Sequence, residues 1–161
     1  MYHTLVTLHL LAAIVWLGGV LFFALVGAPV LRRVEPAALR SALFEGLGMR
    51  FRVVGWGAVL TLLVTGTWLL QLRGWLSPAV LSQPTFWRSA IGVALAWKLA
   101  LVTVMLVLSL AHDLAFSPAR ARALAERPDG ARVRRRLMLL ARVGAVAGLG
   151  AVVAAVRLVR P

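Results

Sequence analysis

The chain has 161 residues, 61% of them hydrophobic, with a mean hydropathy of +0.91. That is more apolar surface than one soluble core of this size can hide, so an integral membrane protein is expected. The formal charge of +13 gathers in blocks, and the absence of cysteine excludes disulfides, thiolate metal ligands and thiol catalysis.

A hydrocarbon core of roughly 30 Å needs about 20 apolar residues as helix. The first predicted span covers residues 4–31 and carries no charge from Leu10 to Leu31. Met1–Leu5 has no basic region and the apolar stretch is too long for a signal peptide, so the span is expected to stay in the mature protein. His9, Trp16 and Phe23 recur every seven residues and so share one face, with Gly19 near it to admit a neighbouring helix or a flat ligand.

The first connector holds Arg32, Arg33, Arg40, Arg50 and Arg52. After Pro36, the spacing of Leu39, Leu43, Phe44 and Leu47 suits either a short helix lying on the membrane surface or a solvated connector. The second span covers residues 53–72. The next connector has only Arg73 and Arg88, and its Trp75, Pro78, Pro84 and Trp87 suit an irregular loop pinned at the outer interface.

Residues 91–111 form the third span, interrupted by Lys98, the only lysine of the chain. An ammonium in an apolar span is costly and marks a functional candidate. Lys98, Met105 and His112 repeat the seven-residue step. The third connector is crowded with Arg120, Arg122, Arg127, Arg132, Arg134, Arg135 and Arg136. Within it Ser117 and Pro118 read as a cap and first position for a helix over Ala119–Arg127 that stops at Pro128, Asp129 and Gly130. The fourth span covers residues 137–158, with Arg142 and Arg157 near its ends, where long stems snorkel. Its Gly144 and Gly148, with Ala147, Ala151 and Ala155 at four-residue spacing, suit close helix packing inside the bundle or, more weakly, a homodimer contact.

These spans predict an all-α, four-helix transmembrane bundle forming one domain over residues 1–161. Connectors one and three lie on one side, and their arginines place that side in the cytoplasm, with both termini outside, in the inner membrane. Anionic lipid headgroups, not nucleic acid, are the expected partners of these arginines.

His9 lies about 8 Å and Lys98 about 10 Å below the outer helix ends, so the two are at meeting depth. His112 is roughly 20 Å deeper than Lys98, at the inner boundary beside Asp113, so His9 and His112 cannot ligate one iron. Arg50, Arg52, His112 and Asp113 make either an inner polar cluster or surface pairs at helix ends. An imidazole among apolar helices suits haem, which otherwise needs an apolar slot and cations for its propionates. Trp16, Phe23 and Trp97 would wall such a slot, and Arg88 or Arg157 would hold the propionates. The bland reading of His9 is a histidine hydrogen-bonded in the bundle or facing a polar cavity. Lys98 suits an anionic substrate, a propionate or proton transfer, against simple snorkelling to the outer interface. A dedicated copper site is poorly supplied, since Met1, Met49, Met105 and Met138 are scattered. His3 and His9 also point apart, by about 120° on a helix.

LHLLAAIVWLGG at residues 8–19, RFRVVGWGAVLTLLVTG from residue 50 and WKLALV at residues 97–102 resemble the CopD superfamily, over about residues 3–113. That superfamily includes copper-resistance membrane proteins and the HemJ-type haem-synthesis proteins, which oxidise protoporphyrinogen and bind haem b. The resemblance implies His9 as the first-helix histidine and axial ligand, Trp16 and Gly19 as the tryptophan and glycine that follow it, and Lys98 as the third-helix lysine. Where HemJ-type proteins carry an arginine and tyrosines after the first-helix glycine, this chain runs from Val20 to Val26 without a polar residue. That departure counts against protoporphyrinogen oxidation and leaves haem binding standing. The expectation is therefore a membrane protein that binds haem b on His9 and serves electron transfer or oxidoreduction, with Lys98 in a catalytic or ligand-pairing role and a quinone or membrane redox protein as partner. The alternatives are copper transport or resistance without haem, and a structural subunit of a larger membrane complex.

Overall fold

The computed structural model describes residues 1–115 and 129–159. The helix expected over Ala119–Arg127 lies outside the described residues. Everything described is helix or short turn, and the helices form two compact units, Met1–Ser82 and Gln83–Pro161.

In the first unit α1 spans Tyr2–Phe22 and continues through a π-helical turn, Phe23–Gly27, into the short α2, Ala28–Leu31. Pro29 has no N–H to donate and its ring crowds the carbonyl four residues back, and the widened turn just before it accommodates that break. Helix α3 then runs unbroken from Ala37 to Leu72. At about 1.5 Å per residue its 36 residues reach about 54 Å, well past a hydrocarbon core of roughly 30 Å. The apolar positions after Pro36 therefore belong to this long helix and make no separate surface helix. The connector shrinks to Arg32–Pro36, tied by Arg40 Nη1, which donates to the Val34 carbonyl at 3.2 Å and to Glu35 Oε1 at 2.9 Å.

Helices α1 and α3 pack antiparallel. Trp16 is buried beside Gly55, and Phe23 stacks on Phe51 (6.3 Å between centroids) and meets Phe44 edge-on at 6.2 Å. At the other end Arg73 Nη2 donates to the Tyr2 hydroxyl at 2.7 Å, and its guanidinium lies 4.9 Å from the Trp75 ring centre.

The second connector is more ordered than the sequence suggests. Pro78 and Pro84 open two short helices, α4 (Pro78–Leu81), capped by Ser77, and α5 (Pro84–Arg88). In the second unit α6 spans Ala90–Ala115 and α7 spans Gly130–Val159. Ser89 Oγ accepts from Gly92 N–H at 3.1 Å at the start of α6. Gly144 sits against Leu108 and Gly150 against Leu101, so α6 and α7 also run antiparallel. Ala147, Ala151 and Ala154 of α7 are buried, as are Ala94, Leu95 and Met105 of α6. The small-residue face of the last helix is thus used within the chain, by α6.

Among the described residues three helices are long and apolar enough to cross a membrane: Tyr2–Leu31, Ala37–Leu72 and Ala90–Leu114. Their outward side chains are large and apolar, with Ile14, Leu60, Val93 and Val107 all exposed. A protein with such surfaces resides in a bilayer.

Candidate functional site

The polar centre of the first unit is built where His9 of α1 crosses α3. His9 Nδ1 lies 2.8 Å from Thr65 Oγ1. Thr65 is only 4% exposed, although it is a hydroxyl residue in an apolar helix. Its Oγ1 also donates to the Thr61 carbonyl at 2.6 Å, the back-bond by which threonine satisfies itself inside a helix. One turn earlier Thr61 Oγ1 does the same to Gly57 at 2.9 Å. The imidazole can approach α3 because the next residue is glycine. A methyl at Gly66 would stand 3.2 Å from His9 Cε1 and 3.7 Å from Nδ1.

Below this layer the seven-residue stripe faces α3, and its space is filled by protein. Trp16, 8% exposed, occupies the gap at Gly55. The room that Gly19 provides is taken by Phe51, whose Cε2 would lie 2.6 Å from a methyl at position 19. Gly19 thus admits a neighbouring helix, one of the two uses its sequence context allows. Trp16 and Gly19 build the helix contact beneath His9.

The other candidates belong to the second unit. Lys98 is half-buried on α6, on the stripe between the buried Leu95 and Met105. Arg88 is exposed at the end of α5 and Arg157 is exposed in the last turn of α7. Because α6 and α7 are antiparallel, these two arginines lie toward the same end of their unit, with Lys98 about 12 Å along α6 from Ala90. His112 Nδ1 stands 3.7 Å from Asp113 Oδ1 near the opposite end. Trp97 is 63% exposed, which fits an outward aromatic side chain better than the wall of an internal slot. Among the described residues no three His, Cys, Asp or Glu side chains come together as a metal site.

Thr65, Thr61 and Gly66 are the residues that sequence reasoning missed. A signal was present: Gly55, Ala58, Val59, Leu62, Thr65 and Gly66 recur at steps of three and four as the small or slender face of span two.

Comparison with known proteins adds the family. A stretch of 111 residues, 66% of this chain, is 34% identical to a protein of uncharacterised role from Aquifex aeolicus (strain VF5) and covers 64% of that protein's length. No solved structure matches. The family model for copper resistance protein D matches residues 45–158. That match takes in α7, which the resemblance in the sequence left to topology alone, and it begins after α1, so His9 lies outside it. With well over half of its residues matched, this membrane protein belongs to the CopD family.

Proposed function

We propose that this chain is a four-span protein of the cytoplasmic membrane that holds a b-type haem on His9 and passes electrons. The observation that carries the reading is the His9–Thr65 contact. An imidazole is held at 2.8 Å from the buried hydroxyl of Thr65 where two membrane-length helices cross, a setting that suits an axial ligand. Donor chemistry points the same way. A porphyrin brings its own equatorial nitrogens and asks the protein for an imidazole and apolar surroundings. A bare copper ion asks for several soft or imidazole ligands together. Among the described residues no group of three His, Cys, Asp or Glu side chains is assembled to hold a metal ion.

When bound, haem supplies reversible one-electron chemistry at iron. The chain's own residues do the rest. Thr65 orients the imidazole, and Trp16, Phe23, Phe44 and Phe51 close the helix pair against water on one side of it. Within the second unit Lys98, with Arg88 and Arg157, is the proposed partner of an anionic substrate. Helix α7 is the proposed fourth span, and the arginines around Arg32–Arg40 and Arg132–Arg136 are proposed to face the cytoplasm.

The test is an absorption spectrum of the detergent-purified protein, oxidised and dithionite-reduced, beside His9→Ala. A Soret band with reduced α and β bands, abolished in His9→Ala, is expected. A featureless spectrum after expression with ample haem overturns the reading. Copper handling without haem is the second reading, favoured by the match to copper resistance protein D. It predicts copper in the purified protein and copper-dependent growth of cells that make it, both lost in His9→Ala.

A further inference from the structure

A threonine hydroxyl owns one hydrogen, and Thr65 Oγ1 has three polar neighbours: the Thr61 carbonyl oxygen at 2.6 Å, the Leu62 carbonyl oxygen at 3.5 Å and His9 Nδ1 at 2.8 Å. A carbonyl oxygen can only accept. If the hydroxyl pointed at Nδ1 instead, two oxygens would face each other at 2.6 Å with no hydrogen between them, at a residue only 4% exposed to any water that might intervene. The hydrogen therefore goes to the carbonyl, and the contact with His9 is made by a hydrogen that the imidazole supplies.

We infer that Thr65 is a positioning residue that fixes His9 as the Nδ1–H tautomer, so that Nε2 is the ring nitrogen without a proton. Histidine in water disfavours this tautomer. The ring nitrogen that keeps a proton is decided by the partner of that nitrogen, and here the partner is a hydroxyl already committed to its own backbone. Gly66 reinforces the choice, because the Nδ1–Cε1 edge lies where a side chain on α3 would otherwise be. Two independent features, the spent hydroxyl and the missing Cβ, thus turn the same edge of the ring toward α3. What Nε2 takes, an iron porphyrin or a copper(I) ion, rests on the function proposed above. The tautomer does not.

The experiment is nitrogen NMR on ¹⁵N-histidine-labelled full-length protein in lipid, free of ligand and at a pH where imidazoles are neutral. His9→Ala identifies the His9 signals against those of His3 and His112. The wild type is expected to show Nδ1 in the protonated range and Nε2 in the unprotonated range. Thr65→Val should exchange the two, and Thr65→Ser should restore the wild-type pattern. A wild-type proton on Nε2 overturns the inference whether or not the variants fold. So does a Thr65→Val spectrum identical to wild type, or a Thr65→Ser spectrum like that of valine. Titration with hemin is read separately: loss of the orienting partner should weaken binding about 10–100-fold in Thr65→Val and spare Thr65→Ser. If the tautomer is found and hemin gives no Soret shift, the haem reading falls and the role of Thr65 stands.

Discussion

Two glycines on facing helices do opposite jobs in the first unit. Gly66 of α3 makes room for the His9 ring, while Gly19 of α1 makes room for Phe51. Gly66→Ala brings a methyl to 3.2 Å from Cε1, so the ring must yield by a few tenths of an ångström and the 2.8 Å contact with Thr65 lengthens. We expect a stability loss of about 1 kcal/mol in detergent unfolding, together with a shift of the His9 nitrogen signals. Gly19→Ala meets a ring edge at 2.6 Å, so Phe51 must swing and its stack on Phe23 breaks. The expected cost is larger, about 1–3 kcal/mol, with no change in the His9 signals. At this scale the sequence was half legible. The seven-residue step of His9, Trp16 and Phe23 gives the inward face, because helical period alone determines it. Thr65 was invisible as a partner, since threonine is a common, self-satisfied residue in apolar helices and only the crossing of α1 makes it a second donor's acceptor.

Helix ends were the least legible elements. Arg50 and Arg52 mark a polar boundary in the sequence, yet α3 runs straight through them, because arginine is a good helix former and Arg50 stays exposed. The π-helical turn before Pro29 could not be read either, as it answers to one proline and to the aromatic contacts of Phe23. The short helices α4 and α5 were hidden by their length, although Pro78 and Pro84 stand at their first positions. The start of α6 yields the sharpest prediction for an element. Gly92 packs directly on the backbone of Phe86 and Trp87, which cannot rotate away as a side chain can. Gly92→Ala should therefore detach α5 from α6 or cost about 3 kcal/mol. Limited proteolysis between Gln83 and Ser89 would detect it, and Gly144→Ala, where a methyl meets only the Leu108 side chain at an ordinary 3.5 Å, should be nearly neutral.

For the whole molecule, composition carried the membrane assignment, and the family match agrees with it. Mean hydropathy is a bulk property that no detail of packing can reverse, which is why it was legible from the sequence alone. Sidedness rests on where the arginines lie, and the chain is well suited to testing it because it contains no cysteine. Single substitutions Glu35→Cys and Ser82→Cys, treated with a membrane-impermeant maleimide, should label from opposite sides, Ser82→Cys in intact spheroplasts and Glu35→Cys only after lysis. Labelling of both from one side would refute the four-span arrangement.

Helix α3 has no proline from Ala37 to Leu72, and its Thr65 lies about 38 Å from Arg40 along the axis. Its backbone ladder is therefore one continuous helix across that length. The joints of the first unit are at its ends: the Arg32–Pro36 turn, and Gly74, whose φ of +70° only glycine adopts without strain. Any swing of α3 against α1 pivots at those two places. A push on the arginine-bearing tip would then be felt as a lever stroke at the imidazole.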